Sequence, residues 1–397
     1  MLAARQPILA SVRRDAWVEV DLGALEYNVA VVRSWLKPGT RIMAVVKGDA
    51  YGHGSVTVAE LLVASGADWL GVASVDEGCQ LRAAGITHPI LLLSPCPPWA
   101  MTTAIESDLQ LTLTSKSQID DVIEAANRLQ RKAPVHLKVD TGMHRLGVKT
   151  SQVGDVLNTI ANHSQLQLTG LFSHLAKADD KQCVEWQNGQ FKTIVEDVRK
   201  SGFSPDLIHL ASSDATRLFP DTHYDMVRPG LVLYGLESRA VSNVVKPAAS
   251  VRGRINHMQD IEAGESVGYN LTWTAERPTR IASIPIGYAD GIDRGLSNRL
   301  EGILLGKRIK QIGLISMDQM LFDITDVPSA QDGDVVTLIG AESGDASAGP
   351  GIHEHTLYLS TWANQLDTIT YELACRLRAR MPRIYTRHQV LPVRTDR

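Results

Sequence analysis

From residue 42 to about 234, short apolar runs alternate with longer amphipathic stretches, and this alternation limits the possible folds more than any other feature of the chain. The runs are IMAVV (42–46), WLGVAS (69–74), PILLLS (89–94), LQLTLT (109–114), PVHLKV (134–139), LQLTGLFS (166–173), DLIHLAS (206–212) and, more loosely, MVRPGLVLYG (226–235). Helical patterns such as SQIDDVIEAANRLQRK (117–132) and CVEWQNGQFKTIVEDVRK (183–200) lie between them. Strand–helix repeats with nearly continuous apolar strands indicate a parallel sheet covered on both faces. Eight such runs favour a closed (β/α)8 TIM-like barrel over an open doubly wound sheet. Polar residues gather at the ends of almost every run: Lys47, Ser74, Ser94, Lys138, His174, Ser213 and Arg228. A barrel carries its catalytic groups around that rim. An open sheet would concentrate them at one switch point.

After Lys246–Pro247 the texture changes. Short strand-like runs at 280–287, 308–316 and 334–340 are separated by Gly, Asp and Pro, and a helical stretch covers 361–377. The expected α/β architecture is therefore a barrel over 1–245 and a mainly-β domain over 246–397. A net charge of −4 without a basic arm excludes nucleic acid as the expected partner. The cysteines Cys79, Cys96, Cys183 and Cys375 form no C-x-x-C pair, which suits reduced thiols in a cytoplasmic enzyme. No segment approaches the ~18 apolar residues of a membrane span, so no membrane partner is expected. HEHT at 353–356 is not H-E-x-x-H; it reads as a solvated helix start, and no metal is expected.

The chemistry starts at AVVKGDAYGHG, Ala44 to Gly54, where an apolar run ends in a lysine followed by three glycines. Walker A places its lysine after the glycines, so Lys47 does not belong to a phosphate loop of that kind. A buried unpaired ammonium is costly, so such a lysine is paired, deprotonated or covalently neutralised. Lysines whose amines are depressed by burial form Schiff bases with carbonyl compounds. A salt bridge to Asp49 or to a carboxylate across the rim is the plainer alternative.

AVVKGDAYGHG resembles the cofactor-binding segment of the alanine racemases, fold-type III enzymes that use pyridoxal 5'-phosphate. The resemblance continues in order through KVDTGMHRLG (138–147), FSHLAKADD (172–180), HLASSDATRL (209–218), VRPGLVLYG (227–235), VGYNLTW (267–273), IPIGYADG (284–291), SMDQM (316–320) and TITYEL (368–373). It implies that Lys47 binds the cofactor covalently. Tyr51, Ser213 and the backbone of Gly230 and Leu231 would hold its phosphate, where glycines let backbone N–H groups approach closely. Arg145 would donate to the cofactor's phenolic oxygen and help bind substrate, and Lys138 matches a family lysine whose carbamylation would orient it. For Asp140 and Arg145 a local ion pair stays open as the alternative. Arg228 would face the pyridine nitrogen; an arginine only donates, so that nitrogen stays unprotonated and the electron sink is weakened. Otherwise Arg228 caps a strand end.

Racemisation needs a proton donor–acceptor on each face of a planar intermediate. By the resemblance Lys47 serves one face and Tyr269, from the β domain of the partner in a homodimer with shared sites, serves the other. A tyrosine acting as a base needs a cationic neighbourhood, and Arg228 and His174 are the candidates. Outside this motif Tyr269 would read as a core-edge residue. Tyr288, Met317, Asp318 and Tyr371 match positions that shape the substrate pocket, and His209 matches a residue supporting Arg228. Ser316, Asn270 and Ser212 stand where relatives commonly have Cys, Gly and Asn. The expected activity is interconversion of L- and D-alanine for peptidoglycan synthesis. Rival readings are a racemase of another small amino acid, a fold-type III decarboxylase of basic amino acids, or a non-catalytic cofactor-binding barrel. The second lacks the VGYN, IPIGYADG and SMDQ series, and the third lacks the β domain.

Overall fold

The computed structural model describes residues 14–236, 244–342, 356–377 and 380–388. Its first strand, β1 (Ala16–Asp21), leads into a helix (Leu22–Ser34) whose N-terminal N–H groups are capped by the Asp21 carboxylate. The chain then enters the barrel through β2 (Arg41–Val45), β3 (Trp69–Val72), β4 (Ile90–Pro95), β5 (Leu109–Leu113) and β6 (Ala133–Asp140). A two-residue strand, β7 (Val148–Lys149), flanks the end of β6. The circuit is completed by β8 (Leu166–Phe172), β9 (Leu207–Ser212) and β10 (Met226–Arg228), which pairs back onto β2. All eight barrel strands are parallel, as the apolar runs imply.

Side chains alternate across each strand, and this divides the barrel into two apolar regions. Val135, Leu137 and Val139 of β6, with Ile208 and Leu210 of β9, join the large core beneath the helices. Inside the barrel a separate cluster forms from Met43, Trp69, Leu91, Leu207 and Met226. His136 lies edge-on to Trp69 there, their ring centroids 5.5 Å apart.

Two elements end earlier than the sequence implies. The run 226–235 stays extended only through Arg228: Pro229 has no N–H for the ladder, and a 3-10 turn, Leu231–Tyr234, follows. The stretch 361–377 forms two helices, Leu359–Gln365 and Thr370–Arg376, interrupted where Asp367 turns to φ 51°. The histidines of HEHT, His353 and His355, lie outside the described residues.

The second sheet is built from β11 (Ala249–Arg254), β12 (His257–Ile261), β15 (Thr279–Ile284), β16 (Glu301–Leu304), β17 (Lys307–Ile312), β18 (Met320–Asp323), β19 (Val335–Ala341) and β21 (Arg383–Thr386). A small hairpin, β13 (Ser266–Val267) with β14 (Trp273–Thr274), stands apart from it, and β20 (Thr356–Leu357) edges β19. The sheet runs β12–β15–β18–β17–β16–β19–β11–β1–β21. The chain's first strand is thus held in the second sheet, antiparallel to β11 and parallel to β21, with Val18 opposite both Val251 and Arg383. Among the described residues, no helix is long and apolar enough to cross a membrane.

Candidate active site

Beyond β2 the backbone winds the wrong way for L-residues. Gly48, Asp49, Ala50 and Tyr51 have φ of 65°, 54°, 53° and 53°, one turn of left-handed helix. Each non-glycine residue in that region costs about 1–2 kcal/mol, so the turn must be held from outside. The Glu77 carboxylate accepts from Gly48 N and from Ala73 N, both at 2.7 Å. Asp49 Oδ1 accepts from Ser55 N at 2.7 Å. The buried His53 ring donates through Nδ1 toward the Ala50 and Tyr51 carbonyls at 3.0 and 2.9 Å. Arg383, from β21, donates twice to the Gly52 carbonyl, at 3.1 and 3.0 Å. With Asp49 so engaged, the salt bridge from Lys47 to Asp49 is not formed.

The turn delivers Lys47 and Tyr51 into one cavity of about 1020 Å³ at the C-terminal mouth of the barrel. Ser94, Lys138, Arg145, His174, Ser213, Arg228, Gly230, Leu231 and Tyr371 line it too. Of the polar rim residues only Ser74 is absent; it caps the helix Val75–Ala83 instead. Burial pushes the Lys47 amine below its ordinary range, and the neighbouring Arg145 adds to the shift. Lys138 falls to about 8, from burial first and then from Arg228, Arg145 and Lys47. Burial raises the Tyr51 phenol, which stays a protonated donor. His174 is driven well below its ordinary value by burial and by Arg228, and is neutral.

Arg228 is 4% exposed, and burial lowers it to about 9. Its partners are neutral acceptors: the Ser173 and Leu210 carbonyls at 2.7 and 3.0 Å, His209 Nδ1 at 2.9 Å and His174 Nδ1 at 3.1 Å. The guanidinium and the Lys138 ammonium both lie over the Phe172 ring, 5.3 and 5.4 Å from its centroid. Asp140 accepts from the Gly142 and His144 amides and pairs with the His144 ring at 2.9 Å, leaving Arg145 to the cavity. A Cβ on residue 230 would sit 2.6 Å from Tyr51 Oη, so only glycine lets that hydroxyl lie against the backbone. Ser213 Oγ accepts from Gly230 N at 2.9 Å. Hydroxyls of Tyr51 and Ser213 beside a bare backbone, a depressed amine and crowded cations suit a phosphorylated aldehyde.

Tyr269, Tyr288, Met317 and Asp318 do not line this cavity. Tyr269 is 70% exposed, on a 3-10 turn of the second domain. Asn270 beside it has φ 58°, a conformation that asparagine tolerates where glycine would be free. The turn bearing Met317 is closed by Ser316 Oγ, which donates to the Gln319 carbonyl. Arg380 ties it down through Asp318 at 2.7 Å and the fully buried Asp290 at 2.8 Å. Sequence reasoning overlooked Glu77. The S-V-D-E pattern at 74–77 is a capping-box signature that marks it, although its carboxylate serves Gly48 and Ala73 rather than its own helix.

The alanine racemase N-terminal domain model matches residues 20–238, and the C-terminal domain model matches 248–385. The alanine racemase of Nostoc sp. is 40% identical over 93% of this chain and 95% of its own length. That of Synechocystis sp. is 41% identical over 94% and 99%. Among solved structures, alanine racemase from Bacillus anthracis with bound L-Ala-P superposes with a TM-score of 0.87, at 33% identity over 95% of this chain and 96% of that one. Alanine racemase from Streptomyces lavendulae gives 0.85 at 32% identity, over 94% and 98%.

Proposed function

The chain belongs to the alanine racemase family, and on that footing we propose that it interconverts L- and D-alanine with pyridoxal 5'-phosphate. The observation that carries this reading is the depressed Lys47 amine, set beside Tyr51, Ser213, Arg145 and Arg228 in one cavity. Lys47 would hold the cofactor's aldehyde carbon, with Tyr51, Ser213 and the backbone of Gly230 and Leu231 around its phosphate. When bound, the cofactor supplies an electron sink that acidifies the α-C–H bond. Arg228 can only donate, so a ring nitrogen set against it stays unprotonated. Lys47 Nζ, its hold on a proton weakened by burial, would take or return the α-proton on one face. Tyr269 Oη does so on the other.

Tyr269 is exposed and far from filling its own chain's cavity, which favours delivery to a second copy. Tyr288 and Met317, 41% and 53% exposed, would come with it and narrow the mouth around Arg145 and Tyr371. The working enzyme is then a homodimer with shared sites, in the cytoplasm, supplying D-alanine for peptidoglycan. His174, neutral and accepting from Arg228, carries its proton on Nε2 and can donate it into the cavity.

The test incubates protein, pyridoxal phosphate and L-alanine in D2O. Optical rotation and the α-proton signal are followed together. Both decay to a racemic, deuterated product if two faces are served. Exchange with chirality retained rejects Tyr269 as the second base. Reaction with serine but not alanine replaces the substrate, and carbon dioxide release from a basic amino acid replaces the reaction.

A further inference from the structure

Beneath Arg228 the barrel interior holds a row of polar side chains that racemisation, as set out above, does not use. His209 Nδ1 faces Arg228 Nη1 at 2.9 Å, and His209 Nε2 faces His136 Nδ1 at 3.0 Å. His136 Nε2 lies 3.0 Å from Gln110 Oε1. Both rings are fully buried. They are also wedged: Phe172 stacks on His209 with centroids 4.7 Å apart and planes within 7°. A Cβ at Gly170 would lie 2.1 Å from His136 Nδ1, so the barrel has space for that ring only because residue 170 is glycine.

The direction of every hydrogen bond in this row follows from its first member. Arginine has donors and no acceptor, so His209 Nδ1 must accept. A neutral His209 then carries its proton on Nε2 and donates to His136 Nδ1. His136 in turn carries its proton on Nε2 and donates to the Gln110 carbonyl oxygen. Burial and the Arg228 charge keep His136 neutral, lowering it to about 3, and hold His209 well below its ordinary value. The charged groups facing the row are Arg228 and Lys138. For Arg228 to lose its proton along this path, each ring would take one on Nδ1 and release one from Nε2. The last would have to settle on an amide oxygen, which is no base in this pH range. The row ends in a stop.

We propose that His136 and Gln110 are positioning residues for Arg228: they lock His209 in the tautomer that accepts from the guanidinium, and the terminal amide blocks proton flow out of it. Arg228 is thereby kept a fixed donor at the cavity floor. The consequence for the cofactor nitrogen rests on the function proposed above, but the proton order itself belongs to the chain alone.

The test is therefore read first without cofactor, by 15N-histidine spectra of the full-length protein. His209 and His136 are expected as Nε2–H tautomers, unchanged between about pH 6 and 8; a proton on His209 Nδ1 in that range overturns the proposal. In His136→Phe, the His209 ring proton should exchange with water about tenfold faster or more, the effect of losing one hydrogen bond. His136→Asn, which restores an acceptor near the Nδ1 position, should recover the slow rate. Should the Phe variant not fold, Gln110→Leu, at a half-buried position, removes the far acceptor and should speed exchange at His136 Nε2. Unchanged exchange in both variants, or an unchanged pH profile of kcat/KM in a folded His136→Phe enzyme, reduces His136 to packing and overturns the proposal. Absence of racemase activity leaves the spectra readable, so the two readings fail separately.

Discussion

A methyl group added at Gly230 would meet Tyr51 Oη at 2.6 Å. The backbone there, at φ −122° and ψ −93°, lies outside the regions open to L-residues, so Gly230→Ala adds backbone strain to that contact. It should weaken pyridoxal phosphate binding about tenfold or more, roughly 1.4 kcal/mol, and lower the apoprotein's melting temperature as well. Absorbance titration with the cofactor checks this. Lys138 offers a second prediction. With its amine at about 8, near half is free base at that pH and able to attack carbon dioxide. Bicarbonate labelled with 13C should give a carbamate signal that fades as pH falls below 8, since a protonated amine cannot attack, and that Lys138→Arg abolishes. Persistence of the signal in the arginine variant would place the carbamate elsewhere.

Glu77 is the outside support that most directly opposes strain in the left-handed turn. Glu77→Ala leaves Gly48 N and Ala73 N without their acceptor and should cost about 1–3 kcal/mol in urea unfolding, together with cofactor affinity. Glu77→Gln keeps one acceptor oxygen and should lose less. An alanine variant as stable as the parent would show that water replaces the carboxylate. The barrel strands were legible because β2 to β10 carry their burial as local apolar runs, and the rim because polar residues end those runs. Lys47 and its turn were legible through spacing and resemblance. The left-handed winding was not: it depends on Glu77, His53 and Arg383 arriving from elsewhere. Nor was the role of His136, because which way its ring faces is set by the pairing of β6 with β5 and β8, beyond any local pattern. Pro229 and Asp367 broke elements whose hydrophobic pattern ran on past them.

Across the described residues, burial holds His53, His136, His174 and His209 below their ordinary range, so that they are neutral in the fold, and it lowers His223 as well. Their folded values lie below the unfolded value of about 6.5, so the unfolded chain takes up protons first as pH drops. Stability should be full above about 6.5 and drain away below it. His53 alone, lowered to about 4 mainly by burial, accounts for about 3 kcal/mol over that window. Urea unfolding at stepped pH reads it, and a flat curve down to pH 4 would contradict it. The proposed sharing of sites between two chains makes a further prediction. An equal mixture of Lys47→Ala and Tyr269→Phe chains, each nearly inactive, should recover about a quarter of the parent activity, since half the dimers are mixed and each has one intact site. No recovery after proven subunit exchange would put both residues in the same chain's site.

The stitch between β1 and β21 also orders events during synthesis. β1 finds one of its two neighbours only when β21, more than 350 residues later, has left the ribosome, and β21 brings Arg383 to the Gly52 carbonyl near Lys47. Most barrel strands pair with near neighbours in sequence and can form early, with β10 closing onto β2 once residue 228 is made. The reactive turn, by contrast, has no hold from Arg383 until translation has passed residue 383. A chain cut short before residue 383 therefore carries the lysine without this brace, so the turn beneath the site is fully held only once β21 has joined the sheet.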